Sequence, residues 1–250
     1  KIGLAYSDVR KINNRIVYAE ITGYGKKGPW KDKPGQDLLL QSLSGLTYTT
    51  GDEGEGPMPF GLSIVDSICG IHAVQGILAA LIRRQKMGIG AYVELSLLES
   101  AISFQFELFT THYHSRRGIK RSKVSNGNPL LGAPYGIYKT ADGYIALAMM
   151  SMPLLQRALG TTELYGYTQQ DVFEKRDEIK DIIAKKLLTN SSEYWLQRLV
   201  SLGLWASNVN NWDALTQTEL YKSTEMEIRI NAGNGEDYFT TGCPIRINGK

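Results

Sequence analysis

From Ile64 onward, apolar side chains recur at helical spacing through Ile68, Ile71, Leu78 and Ile82. The pattern predicts a mostly buried helix over residues 63–84 that stops near Gly88 and Gly90. Ahead of it, residues 15–21 read as a strand, bounded by Asn13, Asn14 and the Thr22-Gly23 pair. Residues 37–46 read as a short helix, and the acidic, glycine- and proline-rich stretch 51–59 as a surface loop. Behind the long helix, 91–97 alternates like a strand and 98–114 returns to helical spacing. Residues 135–149 read as a hairpin turning at Ala141, Asp142 and Gly143. Helices are expected over 171–188 and from Ser191 or Ser192 to Leu202, with Gly203 as the stop. Further strands are expected over 206–209 and 240–247. Trp195, Trp205 and Trp212 read as core aromatics of this second half.

Composition narrows the class only slightly. A chain of 250 residues with 42% hydrophobic and 21% charged residues can bury a proper core. A net charge of +3 gives no argument for nucleic acid. Cys69 and Cys243 stand far apart and read as reduced thiols, which points to a cytoplasmic protein. No uninterrupted apolar run reaches the ~18 residues of a bilayer span, and no leader pattern opens the chain, so no membrane partner is expected. His112 and His114 lack metal-ligand spacing, and His72 reads as a packed core histidine. The cluster Arg116, Arg117, Lys120, Arg121 and Lys123 lies in a polar stretch with linker character. It reads either as a solvated crossing segment or as a phosphate-binding patch. Gly23, Gly25 and Gly28 make a loop after the first strand, but no Gly-x-Gly-x-x-Gly leads into a helix, so a dinucleotide fingerprint is excluded.

Asp66 carries the candidate chemistry. It stands three residues after Ser63, in the first turn of the long helix. Unpaired amides and the helix dipole there favour an ionised carboxylate, and such a carboxylate can act as a nucleophile. The same Ser-x-x-acid spacing is that of a capping box. Both readings stand on these residues alone.

The order of the surrounding motifs adds to this. The chain carries Ile21-Thr-Gly-Tyr-Gly-Lys-Lys-Gly-Pro29, Pro34-Gly-Gln-Asp-Leu-Leu-Leu-Gln41, Ser44-Gly-Leu46 and Gly61-Leu-Ser-Ile-Val-Asp-Ser-Ile-Cys-Gly-Ile-His72. Val93-Glu-Leu-Ser-Leu-Leu-Glu-Ser100, Ala133-Pro-Tyr-Gly-Ile-Tyr-Lys-Thr-Ala-Asp-Gly-Tyr144 and Thr241-Gly-Cys-Pro-Ile-Arg-Ile-Asn-Gly249 follow. The series covers nearly the whole chain and resembles the family III CoA-transferases, a group that includes formyl-CoA transferase, carnitine CoA-transferase and the α-methylacyl-CoA racemases.

The resemblance implies an α/β fold. A large domain with a Rossmann-like parallel sheet, here incomplete, is expected over 1–115, a linker over 116–132, a smaller α+β domain over 133–215 and a return segment over 216–250. It also implies an interlocked homodimer. In the family an αβ stretch precedes the Lys1 position and a helical tail follows the last one, so part of the CoA contacts is expected to lie outside this sequence. The implied activity moves CoA from an acyl-CoA donor to a small carboxylic acid, with coenzyme A as substrate thioester and no metal. Asp66 falls on the family's covalent nucleophile. Lys33, Gly35, Gln36, Asp37 and Gly61 are the implied substrate and CoA contacts, and backbone amides near Gly61 and the helix start are the expected oxyanion donors. The racemase branch has a histidine at the Gln36 position, and a glutamine cannot shuttle a proton. That favours transfer over the first alternative, an acyl-CoA racemase; the second alternative, a non-catalytic CoA-binding relative, stays open and draws its support from the expected missing start. Asp37 matches an acidic position near the family's active site, and read by itself it is an N-cap after Gly35. Residues 126–132 match the family's closing glycine-rich loop but are poorer in glycine.

Overall fold

The computed structural model describes residues 2–115, 118–233 and 235–248. Helix α1 (Tyr6–Ile12) leads into strand β1 (Val17–Thr22), followed by α2 (Asp37–Leu43) and α3 (Ile64–Met87). Strand β2 (Ala91–Ser96) then pairs in parallel with β1, from Val17 opposite Ala91 to Thr22 opposite Ser96. Parallel pairing requires a crossover, and α3 supplies it. The α3 helix ends where Gly88 turns left-handed (φ 74°) and donates its N–H to Arg84 O. Two strands stand where the resemblance leads one to expect an open parallel sheet.

Helices α4 (Leu97–Phe104) and α5 (Phe106–His114) divide what the sequence pattern joins. Ser96 caps α4 by accepting the Glu99 N–H at 3.2 Å. The break falls at Gln105, a buried side chain whose Nε2 donates to Ser44 O at 3.2 Å and Ala101 O at 3.0 Å. The core of this half is small, formed by Leu40, Leu46, Val65 and Ala101.

Helix α3 is not the mostly buried helix expected. Val65, Ile68, Cys69, Ala73 and Ala80 are buried, but Ile71, Val74, Leu78 and Ile82 are 54% to 59% exposed. The physical reason is width: two strands and α4 cover one face, and the apolar stripe is broader than that cover. His72 is half-buried on the same helix rather than a core histidine. By length and composition α3 could cross a bilayer (mean hydropathy 1.7), which a search for unbroken apolar runs misses because glycine, histidine and glutamine interrupt the run. In this fold the helix packs on β1, β2 and α4.

The second half is better packed. Strands β3 (Gly136–Lys139) and β4 (Tyr144–Leu147) form the expected hairpin, and β5 (Ala206–Asn208) joins β4 antiparallel. Helices α6 (Met152–Leu159), α7 (Asp171–Glu174), α8 (Arg176–Leu187) and α9 (Ser192–Ser201) pack around this sheet. Lys175 interrupts what reads as one helix over 171–188. Ile145, Leu155, Ile179, Ile183, Trp195 and Leu199 lie at the centre of the larger core. The other two tryptophans are corrections: Trp205 is 69% and Trp212 84% exposed. Leu204 takes the buried position beside Trp205, and Trp212 opens the short helix α10 (Trp212–Thr216), which buries no residue.

Helix α11 (Glu219–Ser223) and the hairpin of β6 (Glu227–Asn231) and β7 (Asp237–Thr241) close the chain, both strands exposed. Strand β7 ends before Pro244, so the expected strand over 240–247 is displaced. A proline cannot donate to a ladder.

Trp195 anchors the larger core and donates Nε1–H to Leu187 O at 2.8 Å. Trp195→Ala is expected to lower the unfolding free energy by about 3–5 kcal/mol, measured by urea unfolding.

Candidate active site

The site begins with a backbone contact. A Cβ built on Gly35 would lie 2.7 Å from Gly23 Cα. Glycine at both positions therefore lets the loop after β1 fold back on itself. This close approach delivers the chain to Gln36, where α2 begins.

Helix α2 then presents Asp37 to the start of α3. Asp37 Oδ2 accepts the N–H of Val65 at 2.8 Å and of Asp66 at 3.1 Å. Asp37 Oδ1 accepts from Gln41 Nε2 at 2.5 Å. Gln41 is buried; its Nε2 also donates to Leu62 O at 3.1 Å, and its Oε1 accepts the Phe60 N–H at 2.8 Å. One helix turn thus fixes both the 60–62 loop and the first turn of α3.

This corrects two expectations. Ser63 is the N-cap residue of α3, but its side chain makes no capping bond. A carboxylate from another helix supplies the cap, so Asp66 is not half of a capping box. Asp37 does not cap its own helix either: Gln36 holds that position, through its backbone alone.

The Asp66 side chain is exposed, and among the described residues its carboxylate has no hydrogen bond or ion pair. The helix-start amides of Val65 and Asp66 are taken by Asp37, which removes them as oxyanion donors. The Gly61 N–H, two residues ahead of Ser63, has no acceptor among the described residues. Gln36 is exposed beside Asp37. Lys33 is exposed and its ammonium lies 3.9 Å from the Trp30 ring centroid; no contact brings it to Asp66. The structure therefore gathers Gly35, Gln36, Asp37, Gly61 and Asp66 and leaves Lys33 on the preceding loop.

A cavity of about 410 Å³ adjoins this junction. Phe60 and Ile64 form one wall, Phe104 and Phe106 another, and residues 126–130 a third. Asp66 is not among the lining residues. Residue types gave no signal for this cavity, because its aromatics sit at the break between α4 and α5.

Arg121, read as part of a solvated or phosphate-binding cluster, is neither. It is buried and donates to the carbonyls of Thr50 at 2.5 Å and Glu55 at 2.6 Å. Arg116 and Arg117 lie outside the described residues. Cys69 is buried, Cys243 exposed, and both thiols are free. Among the described residues no three His, Cys, Asp or Glu side chains are grouped to hold a metal ion.

The architecture around these residues is mixed α/β with small sheets. The fold is that of a Brucella suis CAIB/BAIF family protein, whose crystal structure superposes with a TM-score of 0.82 at 24% identity, covering 98% of this chain and 65% of that one. The family model described as CoA-transferase family III matches residues 1–250, and the chain belongs to that family. It is similar to the human succinyl-CoA:glutarate CoA-transferase, 27% identical over 217 residues, which are 84% of this chain and 49% of the relative. It is also similar to the succinate–glutarate CoA-transferase of Agrobacterium fabrum, 27% identical over 243 residues, 94% of this chain and 60% of the relative. The chain thus spans about half to three-fifths of the curated relatives it matches.

The cap is testable. Asp37→Ala is expected to lower the unfolding free energy by about 1–2 kcal/mol through loss of the α3 cap. A urea-unfolding midpoint equal to wild type would show that this bond contributes nothing in solution.

Proposed function

We propose that this chain carries the acyl-transfer centre of a CoA-transferase, with Asp66 as covalent nucleophile. The observation that carries the reading is the division between two carboxylates. Asp37 is fully engaged in holding the start of α3, and Asp66 is left without a partner at the positive end of that helix. An aspartate whose purpose was to cap would have been tied to the backbone.

The steps balance without a metal. The Asp66 carboxylate attacks the donor thioester carbonyl; the C–S bond breaks, CoA thiolate leaves and a mixed anhydride forms. The thiolate attacks the aspartyl carbonyl and expels the donor acid as carboxylate, leaving an aspartyl-CoA thioester. The acceptor carboxylate attacks that thioester, releasing thiolate and forming a second anhydride. Thiolate then attacks the new acyl carbonyl, giving product acyl-CoA and free Asp66. Covalent catalysis replaces one slow exchange between acids by easier steps. The Gly61 N–H is the amide assigned to the developing oxyanion, and the apolar cavity is the place assigned to the acyl group.

Several further elements belong to this reading. Gly35 and Gln36 contact substrate at the Asp37 junction, and Lys33 meets the CoA moiety from the preceding loop. The whole protein is an interlocked homodimer with a Rossmann-like sheet, and the open face of α3 is what such an assembly would cover. Two free thiols suit a reducing cytoplasm. The acids named for the relatives, succinate and glutarate, head the panel of substrates to try.

Asp66→Ala in the full-length protein is expected to abolish CoA exchange between labelled acyl-CoA and acid, followed by mass spectrometry. The Asp37 cap remains, so the unfolding free energy is expected to change by less than about 1 kcal/mol. Wild-type turnover in this variant would falsify the mechanism.

Gln36 makes a second test. An acyl-CoA with a chiral α-carbon, incubated with the enzyme in heavy water, is expected to take up no α-deuterium, because an amide offers no proton at a useful pKa. Fast uptake would move the protein to the racemase reading.

A further inference from the structure

Lys180 lies in the middle of α8 and is fully buried, and no step of acyl transfer uses it. A lysine there carries a desolvation cost. Burial, and then the charge of Arg176, push its pKa down to about 8, while Asp177 and Asp52 pull the other way. The ammonium donates to Ser122 Oγ at 3.0 Å and to Ser125 O at 2.9 Å. Both acceptors belong to the turn that leads directly into the 126–130 wall of the cavity.

That turn is held from three sides. Inside it, the Ser122 N–H donates to Asn126 Oδ1 at 3.1 Å. On the sheet side, Ser125 is left-handed (φ 51°), and its carbonyl oxygen would stand 2.0 Å from a Cβ on Gly136. On the cavity side, the Asn126 N–H donates to Asp52 Oδ1 at 2.7 Å, and Asn126 Nδ2 donates to Thr49 O at 3.1 Å. Thr49 and Asn126 both line the cavity. Lys180 is one of three charged groups that α8 brings to this junction, beside Arg176, which donates to Pro129 O at 3.1 Å, and Asp177, whose Oδ1 accepts the Lys123 N–H at 2.9 Å.

We propose that Lys180 is a positioning residue of the candidate site: its ammonium fixes the 122–126 turn, and through it the cavity wall against which the acyl group is held. This rests on the acyl-transfer reading above. The other side of the junction, where Asp37 sets Asp66, is independent of Lys180. Loss of the ammonium therefore weakens substrate placement more than it slows the reaction of bound substrate.

Lys180→Met keeps most of the stem and removes the donors. In the full-length protein it is expected to raise KM for acyl-CoA by about tenfold or more, with kcat within about threefold of wild type. Ser122→Ala removes one of the two acceptors and is expected to raise KM less, and the double variant to be no worse than Lys180→Met, as for two residues acting through one contact. With no substrate present, amide exchange over residues 122–130 is expected to quicken by about tenfold in Lys180→Met. Unchanged KM and unchanged exchange in a folded Lys180→Met would overturn the proposal. If that variant does not fold, the same result in Ser122→Ala would do so. Absence of any CoA exchange by the wild-type protein would instead overturn the transfer reading, and the substrate-free exchange measurement would then decide on Lys180 alone.

Discussion

The start of a helix leaves amides without partners, and here a carboxylate 28 residues upstream in the sequence satisfies two of them. The rest of the site depends on that bond. Asp37 ties α2 to α3, and Gln41, one turn on, ties α2 to the loop that precedes α3. The loop can therefore carry Gly61 and Phe60 at fixed places without regular structure of its own. Capping by a remote carboxylate also frees the local side chains of that duty, and the nucleophile proposed for Asp66 would need that freedom. The dipole favours its charge, and no neighbour engages its oxygens.

A division of labour runs through the fold. The first half holds the candidate site residues on a slender core of a few apolar side chains around Leu40 and Val65. The second half holds a larger core around Trp195 and Ile183 and reaches back through the 120–130 segment. Arg176 on α8 donates to Pro129 O at 3.1 Å and to Lys120 O at 3.0 Å. Arg121 and Asn126 fasten the same segment to the 49–56 loop. Polar groups buried at such a junction are costly unless satisfied, and no buried side-chain nitrogen or oxygen among the described residues lacks a partner. The segment that composition marks as a linker is thus among the most heavily bonded stretches of the chain.

What the sequence made legible follows from period and punctuation. The strand–helix–strand unit of β1, α3 and β2 was readable because apolar residues recur at helical spacing between two alternating stretches, and Gly88 marks the helix end. The hairpin at Asp142 was readable from its turn residues. Helix α6 was missed because eight residues show too few repeats of the pattern, although Met152, Leu155 and Leu159 are all buried. Trp205 and Trp212 were misplaced because an aromatic in a sequence does not declare which face it occupies. At the site, ordered motifs brought Gln36, Asp37, Gly61 and Asp66 forward together, and the fold does gather them. The identity of the cap was not legible: a Ser-x-x-acid pattern and a remote aspartate satisfy the same amides, and only the path of the chain decides between them. Lys180 and the aromatic cavity were invisible for the same reason, since their partners lie in distant parts of the sequence.

The proposed chemistry sets one more condition on this architecture. A mixed anhydride survives only where water is kept from it, and the Asp66 side chain in this chain is exposed. The same helix shows an uncovered apolar face from Ile71 to Ile82. A cover over α3 would meet both needs at once, burying the apolar stripe and drying the proposed nucleophile. The two requirements reinforce each other, because apolar surface supplies the binding free energy and the carboxylate supplies the reason for placing it there. On the acyl-transfer reading proposed above, the helix that would present the nucleophile also offers the apolar surface that a shield would cover.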